Sequence, residues 1–336
     1  MRICVYGTGA IGGFLAARLA LGGHDVVAVA RGAQLEAIGR RGLTLIGSDG
    51  RTEVATDLRA AAGAAEVGPV DVLLVTLKAY QLPPLAAELG AVGRSAELVV
   101  PIQNGVPWWY FHRHGGPHDG RPVAAVDPEG ALARHLDVGR IVPALAFKAA
   151  EVVEPGVIRH MITADDHFPI GELDGSVTGR LRRLSAAFGE AAVEAPVVTD
   201  IRARAWGKLL GNLAVNPIGA LTGATVAETA THPLSRPLCL RLMEEAIAVA
   251  AAFGAAPAYG AQTRLRRAEG MHGIKASMLQ DRERGRPMEV GPIVGAVVEL
   301  AALAEVPVPA TEAVHACLAL LADRATRLTR DGNTVD

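Results

Sequence analysis

The sequence predicts an α/β fold, in which a doubly wound parallel sheet in the N-terminal part is followed by a mostly α-helical C-terminal domain. In the first part of the chain, short β-rich runs alternate with helix-like stretches, as in sheets whose strands are joined by crossover helices. From about Thr199 onward, long segments of Ala, Leu and Val with helical spacing dominate. We therefore divide the chain into a domain at 1–197 and a helical domain at 198–330.

The order of these runs gives the predicted elements. Strands are expected at 2–6, 25–30, 70–77 and 97–102, and helices between them at 10–22, 33–41 and 79–92. Two further runs, 140–147 and 157–163, are expected to extend the same sheet. The helices of the second domain are expected at 200–215, 234–253, 292–304 and 309–325.

Composition narrows the class of protein. The 336 residues carry a formal net charge of −2, so the chain has no field that would gather nucleic acid or an anionic membrane. The longest Ala-rich stretch, 246–258, is too short for a transmembrane helix, which predicts a soluble protein. Cys4, Cys239 and Cys317 are far apart and odd in number, which argues against a disulfide framework and predicts a reducing, cytoplasmic setting.

A glycine-rich turn directly follows the first predicted strand and opens the first helix. Gly7 allows the tight turn, Gly9 lets the backbone approach a pyrophosphate, and Gly12 lets helix and strand pack closely. The positive end of the helix then faces the phosphate charge. An ordinary Gly-rich turn without a ligand is the alternative. The context favours a Rossmann dinucleotide site formed by Gly7, Thr8, Gly9, Ala10, Ile11 and Gly12.

The end of the second strand indicates which dinucleotide is bound. An enzyme that uses NAD places Asp or Glu about 20 residues beyond the glycines, where the carboxylate binds the ribose 2′-hydroxyl. This chain has Arg31 there instead, and a guanidinium suits a 2′-phosphate. NADP(H) is therefore the predicted cofactor. The alternative for Arg31 is a solvated surface charge.

Three polar residues share one face of the first helix of the second domain. Lys208, Asn212 and Asn216 are four residues apart in an otherwise apolar segment. Asn is a poor helix former and Lys normally reaches water, so this face is expected to line a polar cleft; an exposed helix surface is the alternative. Lys208 is the candidate general acid, since its ammonium can stabilise and protonate the alkoxide formed when a carbonyl accepts hydride.

Taken together, these motifs resemble those of the ketopantoate reductase family. The resemblance covers most of the chain and rests on the glycine turn, Thr76 to Gln81, Gln103 to Gly105, the Lys208 helix, and Ser277 to Glu289. It implies an NADPH-dependent oxidoreductase that reduces a 2-oxo acid to a 2-hydroxy acid, with 2-dehydropantoate (ketopantoate) and pantoate as the pair.

The resemblance also implies roles for single residues. Lys208 is similar to the family's catalytic lysine, and Glu289 to the carboxylate that partners substrate and cofactor. Lys78 and Asn104 resemble residues on the nicotinamide and ribose side of the site, and Ala150 is similar to a backbone contact of the cofactor. The positions that match substrate-binding residues are Asn104, Lys208, Asn212, Asn216 and Ser277, with Ser277 receiving the carboxylate.

Simpler interpretations of four of these residues remain open. Lys78 is also compatible with a helix N-terminus at the surface, and Asn104 followed by Gly105 is a common turn signal. Ser277 is also a good N-cap for the helical segment that follows it, and Glu289 is of a residue type that is usually solvated.

Two features depart from the family pattern, and both concern the substrate. The stretch 106–118 is aromatic in a chain with only 4% aromatic residues, and it forms either a wall or lid of the substrate pocket or a loop packed on the domain or on a dimer partner. Its histidines have no acidic or Cys companions, so no metal site is predicted. Gly291 stands where the family commonly has an acidic residue, so hydrogen bonding around Glu289 is expected to differ.

Two other functions stay open. An enzyme of the same fold would reduce a different oxo acid or an imine, with the 106–118 stretch setting the size of the pocket. A non-catalytic NADP(H)-sensing protein would bind the nucleotide without turnover. The expected partners are a small-molecule substrate and, as a further option, a second copy of the chain in a homodimer.

Overall fold

The computed structural model describes residues 1–162 and 165–330, which form two compact units. Unit 1 contains Met1–Gln103, Phe111–Pro122 and Glu129–Ile201. Unit 2 contains Asn104–Tyr110, Val123–Pro128 and the chain from Arg202 onward. Unit 1 holds the sheets and unit 2 is mostly helical, so the predicted fold class is confirmed.

The regular elements follow the chain in this order: β1 (Arg2–Tyr6), α1 (Ala10–Leu21), β2 (Asp25–Val29), α2 (Gly32–Arg41), β3 (Leu43–Gly47), β4 (Thr52–Ala55), β5 (Arg59–Ala61), β6 (Val72–Val75), α3 (Ala86–Gly93), β7 (Leu98–Pro101), α4 (Ala131–His135), β8 (Ala150–Glu154), β9 (Val157–His160), α5 (Gly179–Glu190), α6 (Ile201–Thr222), α7 (Val226–Thr231), α8 (Ser235–Ala252), α9 (Ala261–Glu269), α10 (Ser277–Glu283), α11 (Ala296–Leu303) and α12 (Pro309–Arg330).

The first sheet of unit 1 is parallel and has the strand order β5-β2-β1-β6-β7. The strands are almost wholly apolar, as expected when helices cover both faces. Chain order runs outward from β1 on one side and from β6 on the other, so the direction of winding reverses between these two strands. Sheets of this type bind ligands at that switch point, beyond the carboxyl ends of the strands.

Unit 1 also contains a second, four-stranded sheet, which the sequence analysis did not predict. Its order is β4-β3-β9-β8, with β3 and β9 parallel and the other pairs antiparallel. The prediction that 157–163 extends the first sheet is therefore wrong, because β9 pairs with β3 and β8; residue 163 lies outside the described residues. Helix α1 packs against this sheet closely enough that a Cβ at Gly13 would lie 2.8 Å from Ile158 Cδ1.

The run 140–147 follows β7 without becoming a regular strand. Ile141 and Val99 form an isolated parallel bridge, and the amide of Val142 donates to the Val99 carbonyl at 3.0 Å. The amide of Ala144 continues this pairing, since it donates to the Pro101 carbonyl at 3.2 Å. Residues 141–144 therefore extend the first sheet beside β7, as predicted, but through isolated pairing rather than as a regular strand.

Two predicted helices begin differently from the sequence pattern. In the predicted helix at 79–92, Pro83 and Pro84 favour short 3-10 turns, and the α-helix α3 starts only at Ala86. In the predicted helix at 292–304, a π-helical turn at Gly291–Gly295 precedes α11. No helix in the described part of the chain is long and apolar enough to cross a membrane.

Candidate active site

The glycine-rich turn of unit 1 packs tightly against the end of the sheet at Gly7 and Gly12 and has free space beside its backbone at Gly9. Gly7 has a φ of 102°, in the left-handed region that favours glycine. A Cβ at Gly12 would overlap the Gly7 carbonyl oxygen and Oγ1 of Thr76, and that hydroxyl donates to the same carbonyl at 2.7 Å. A Cβ at Gly9 would meet nothing within 4 Å. The backbone is therefore exposed at Gly9, next to the first turn of α1.

The rest of the turn is tied to β2. The amide of Thr8 and its hydroxyl each donate to the Val29 carbonyl at 3.2 Å, and Thr8 is buried. The Gln34 side-chain amide donates to the Thr8 carbonyl at 2.9 Å. Ala10 and Ile11 form the first turn of α1. The Thr8 hydroxyl thus serves the turn's own structure.

Arg31 lies at the N-cap of α2, with 68% of its side chain exposed. Its Nη2 is 3.9 Å from Oε2 of Glu88, which accepts a hydrogen bond from the Tyr6 hydroxyl. Burial, and then the bond to the carboxylate, raise the pKa of Tyr6, so the phenol stays neutral and keeps donating. Sequence reasoning missed Glu88, because its link to Arg31 depends on how α3 and α2 are placed beside β1.

The other two cofactor candidates of unit 1, Lys78 and Ala150, are associated with different sheets. Lys78 is half-buried just past the carboxyl end of β6, at the switch point, and its amide donates to Oε1 of Gln81 at 3.0 Å. Ala150 is the first residue of β8 in the second sheet, where it pairs with His160.

Three residues that are distant in the sequence form a hydrogen-bonded chain in unit 2. Nζ of Lys208 donates to Oδ1 of Asn104 at 2.7 Å, and Nδ2 of Asn104 makes a longer contact of 3.4 Å with Oε2 of Glu289. Glu289 is only 3% exposed, so the interpretation as a solvated carboxylate is wrong. Nor is Asn104 merely part of a turn, since its amide joins the ammonium to the carboxylate.

The surroundings of Lys208 lower its pKa to about 8. Burial is the main cause, because it penalises the charged form, and the positive charge of Arg264 acts in the same direction. The Glu289 carboxylate opposes both. A lysine with this pKa can hold a proton at neutral pH and give it up readily, which is what a general acid needs.

Asn104 belongs to the segment 104–110, and contacts with other residues of unit 2 fix both ends of this segment. Gly105 has a φ of 84°, and a Cβ there would lie 2.5 Å from the Pro292 carbonyl carbon. The next amide, of Val106, donates to the Pro292 carbonyl at 2.8 Å. At the other end, Nε1 of Trp206 donates to the Tyr110 hydroxyl at 2.8 Å. Because Trp206 lies on α6, the same helix that carries Lys208, these contacts fix Asn104 relative to the ammonium.

The first half of the aromatic stretch 106–118, residues 106–112, is buried. Its large rings are all at most 3% exposed: Trp108, Trp109, Tyr110 and Phe111. This burial argues against a mobile lid formed by these rings, and it is compatible both with a wall of the pocket and with packing on the domain. No group of three His, Cys, Asp or Glu side chains within 1–162 and 165–330 could hold a metal ion.

Gly291 follows Glu289 closely and has no room for a side chain. A Cβ there would lie 2.6 Å from the Ala125 carbonyl oxygen, so any larger residue would require the backbone of one of the two segments to shift. Gly291 also begins the π-helical turn, a feature found frequently at functional sites. The close approach of the segment Val123–Pro128 therefore favours glycine at position 291.

The remaining candidates differ in their surroundings. Asn216 is 4% exposed, and Asn212 is half-buried, so an exposed amphipathic face is the wrong interpretation of this part of α6. Ser277 is exposed at the first turn of α10, and Ala276 occupies the N-cap position, so the N-cap interpretation of Ser277 is wrong. Ser277 lies outside the hydrogen-bonded chain of Lys208, Asn104 and Glu289.

Comparison with known proteins gives one consistent result. Two family models match: "Ketopantoate reductase PanE/ApbA" over residues 3–175 and "Ketopantoate reductase PanE/ApbA C terminal" over 200–322. A 2-dehydropantoate 2-reductase of Mesorhizobium japonicum is 43% identical, over 96% of this chain and 98% of that protein.

Solved structures agree with this result. The crystal structure of 2-dehydropantoate 2-reductase from Geobacter metallireducens superposes with a TM-score of 0.82 at 27% identity, covering 96% of this chain and 100% of that one. The enzyme of the same name from Methylococcus capsulatus gives 0.79 at 28% identity, covering 97% and 98%. The similarity therefore extends over both units.

Proposed function

The chain belongs to the ketopantoate reductase PanE/ApbA family of oxidoreductases, and from that membership and its site we propose that it reduces 2-dehydropantoate to pantoate with NADPH. The observation that carries the proposal is the contact of Lys208 with Asn104, which is itself linked to Glu289. It offers a proton donor with a pKa of about 8, held by a fixed amide. These are the requirements for reducing a carbonyl at neutral pH.

Each residue has a defined task. When bound, the reduced nicotinamide supplies the hydride that C2 of the substrate accepts. The Lys208 ammonium stabilises the negative charge that develops on the C2 oxygen and then donates its proton to that oxygen. Asn104 holds the ammonium in place, and the Glu289 charge keeps it protonated at higher pH than burial alone would allow. Asn212 and Asn216 orient the substrate, and Ser277 contributes to binding its carboxylate.

The cofactor assignment is supported by the glycine turn and Arg31. The open space at Gly9 fits a pyrophosphate, which the first turn of α1 would bind through its amides. Lys78 and Ala150 contribute further contacts. Arg31 is exposed and cationic, so its guanidinium is accessible to a 2′-phosphate.

The proposal is tested by following NADPH absorbance with 2-dehydropantoate and a panel of other 2-oxo acids, β-oxo acids and imines. We expect the highest kcat/KM with 2-dehydropantoate. Preference for another compound of the panel would identify the protein as a reductase of the same fold with a different substrate. Tight NADPH binding without turnover of any compound would instead identify a nucleotide sensor.

The pH dependence of kcat/KM should report on Lys208. Because the ammonium must be protonated to act as the acid, kcat/KM should fall about tenfold per pH unit above the pKa of about 8. Replacing Glu289 with Gln removes the charge that holds this pKa up, so the falling limb should move to lower pH. A wild-type profile that is flat up to pH 10 would contradict the role of Lys208.

Arg31→Ala should change the choice between the two nucleotides. Loss of a charged hydrogen bond to the 2′-phosphate should raise the KM for NADPH by roughly 10- to 100-fold and leave the KM for NADH within about threefold. Steady-state kinetics with both nucleotides measure this. Arg40→Ala, an exposed arginine at the other end of α2, is the matched control. An equal effect on both nucleotides would refute the assignment.

A further inference from the structure

Two glycines lie inside α6 beside the polar face. Gly207 and Gly211 are four residues apart; Gly207 directly precedes Lys208, and Gly211 directly precedes Asn212. Glycine weakens the interior of a helix relative to alanine, so the pair requires a structural reason.

Side chains from the segment after α8 supply that reason, because they cross α6 at both glycines. A Cβ at Gly211 would overlap Nη2 of Arg264 and would lie 2.5 Å from its Cζ and 2.8 Å from its Nε. A Cβ at Gly207 would lie 3.0 Å from the Tyr259 hydroxyl. The Arg264 guanidinium therefore packs directly on the α6 backbone, where any larger residue at 211 would displace it.

The position of Gly211 puts Arg264 next to the proposed acid. Gly211 is three residues after Lys208, and residues three apart on a helix are surface neighbours, so the guanidinium that packs on Gly211 lies near Lys208. Its charge is close enough to lower the pKa of Lys208. Lys208 and Arg264 thus place two cations near each other in a partly buried part of unit 2. Two neighbouring positive charges favour binding of an anion.

We propose that the guanidinium of Arg264 binds the carboxylate of the 2-oxo acid, while Lys208 serves the neighbouring 2-oxo group. This inference rests on the proposed reductase function and adds to it a further residue that binds the substrate carboxylate. A carboxylate offers two coplanar oxygens, and the guanidinium fork matches them, which a serine hydroxyl cannot do. The exposed Ser277 then has a secondary part in binding the same group.

Binding of a carboxylate at Arg264 should change the protonation of Lys208. A bound carboxylate offsets the charge of Arg264 and so removes one of the causes that lower the pKa of Lys208. Lys208 then gains a proton as the acid binds. At a pH near 8, binding of pantoate, which carries the same carboxylate, should therefore be accompanied by proton uptake, measurable by calorimetry in buffers of different ionisation enthalpy.

The decisive experiment compares a charged and a neutral substrate. Arg264→Gln should lower kcat/KM for 2-dehydropantoate by roughly 10- to 100-fold, mainly through KM, and change kcat/KM for the corresponding lactone, which has no carboxylate, by less than about threefold. Arg264→Lys keeps the charge and should recover part of the loss. Arg266→Gln, an exposed arginine of the same helix, is the matched control and should behave as wild type.

Two further measurements separate a role in binding from a role in folding. In Arg264→Gln, the falling limb of the pH profile should move to higher pH, opposite to the shift for Glu289→Gln. Gly211→Ala should reproduce the Arg264→Gln defect, and adding it to Arg264→Gln should cause little further loss, since the displaced group is already gone.

The outcomes are distinct. Equal loss on the acid and the lactone, or no loss on either, would overturn the role of Arg264 and leave the reductase function intact. A wild-type protein that binds NADPH but reduces no 2-oxo acid would overturn the proposed function, and the role of Arg264 with it.

Discussion

Lys208→Ala is expected to lower kcat for 2-dehydropantoate by roughly 100- to 10,000-fold, the usual contribution of a positioned general acid. The substitution removes both the proton donor and the charge that stabilises the developing alkoxide. NADPH affinity should change little, because the glycine turn and Arg31 belong to unit 1 and the proposal assigns nucleotide binding chiefly to them. Single-turnover kinetics and a fluorescence titration with NADPH separate the two properties.

The matched control is Lys275→Ala. Lys275 is an exposed lysine of unit 2 that pairs with Glu283, and its loss should leave kcat unchanged. If Lys208→Ala retained more than about a tenth of the wild-type kcat, the assignment of Lys208 as the acid would be wrong.

Gly12→Ala should have the second largest effect, on nucleotide binding and on stability together. The added Cβ would overlap the Gly7 carbonyl oxygen and Oγ1 of Thr76, so the turn has to shift away from β6. Forcing an extra methyl group into a closed site costs about 1–3 kcal/mol of unfolding free energy. If the shifted turn loses a similar amount of pyrophosphate binding, NADPH affinity should fall by roughly 10- to 100-fold. Urea denaturation and nucleotide titration measure the two effects.

Gly39→Ala is the control for Gly12→Ala. Gly39 lies inside α2, where a Cβ would meet nothing within 4 Å. Alanine should therefore stabilise the helix by about 0.8–1.0 kcal/mol, with no effect on NADPH binding. Should Gly12→Ala bind NADPH as wild type does, the turn would not be the site of the pyrophosphate.

Local patterns account for what the sequence could predict. The glycine turn between β1 and α1 is one such pattern, since a tight turn and close packing each require glycine at a fixed position. The polar face of α6 is another, because a spacing of four residues places Lys208, Asn212 and Asn216 together in any straight helix. The alternation of strands and helices, with the helical spacing after Thr199, was sufficient for the fold class.

Long-range pairing was not predictable in the same way. A strand such as β9 carries no local signal for its partner, so it was assigned to the first sheet rather than to a second one with β3 and β8. The link of Arg31 to Glu88 likewise depends on tertiary placement.

The sequence analysis did not identify Arg264 as a candidate site residue, although the sequence contains an indirect signal for its position. An arginine in a polar stretch such as 261–269 is usually an exposed surface residue. That signal is Gly211, because glycine is unfavourable inside a helix and often indicates that another group approaches the backbone closely. Its partner could be identified only from the structure.

The path of the backbone limits how this enzyme can be divided. Asn104 directly follows the last residue of unit 1's first segment, yet it belongs with Lys208 and Glu289 in unit 2. A fragment beginning at 198 would lack both this amide and Tyr110, the hydrogen-bond partner of Trp206. A C-terminal half expressed alone, or a chimaera joined at that point, would thus contain the proposed proton donor without the amide that holds it. Recombination between relatives should therefore keep residues 104–110 together with the C-terminal part of the chain.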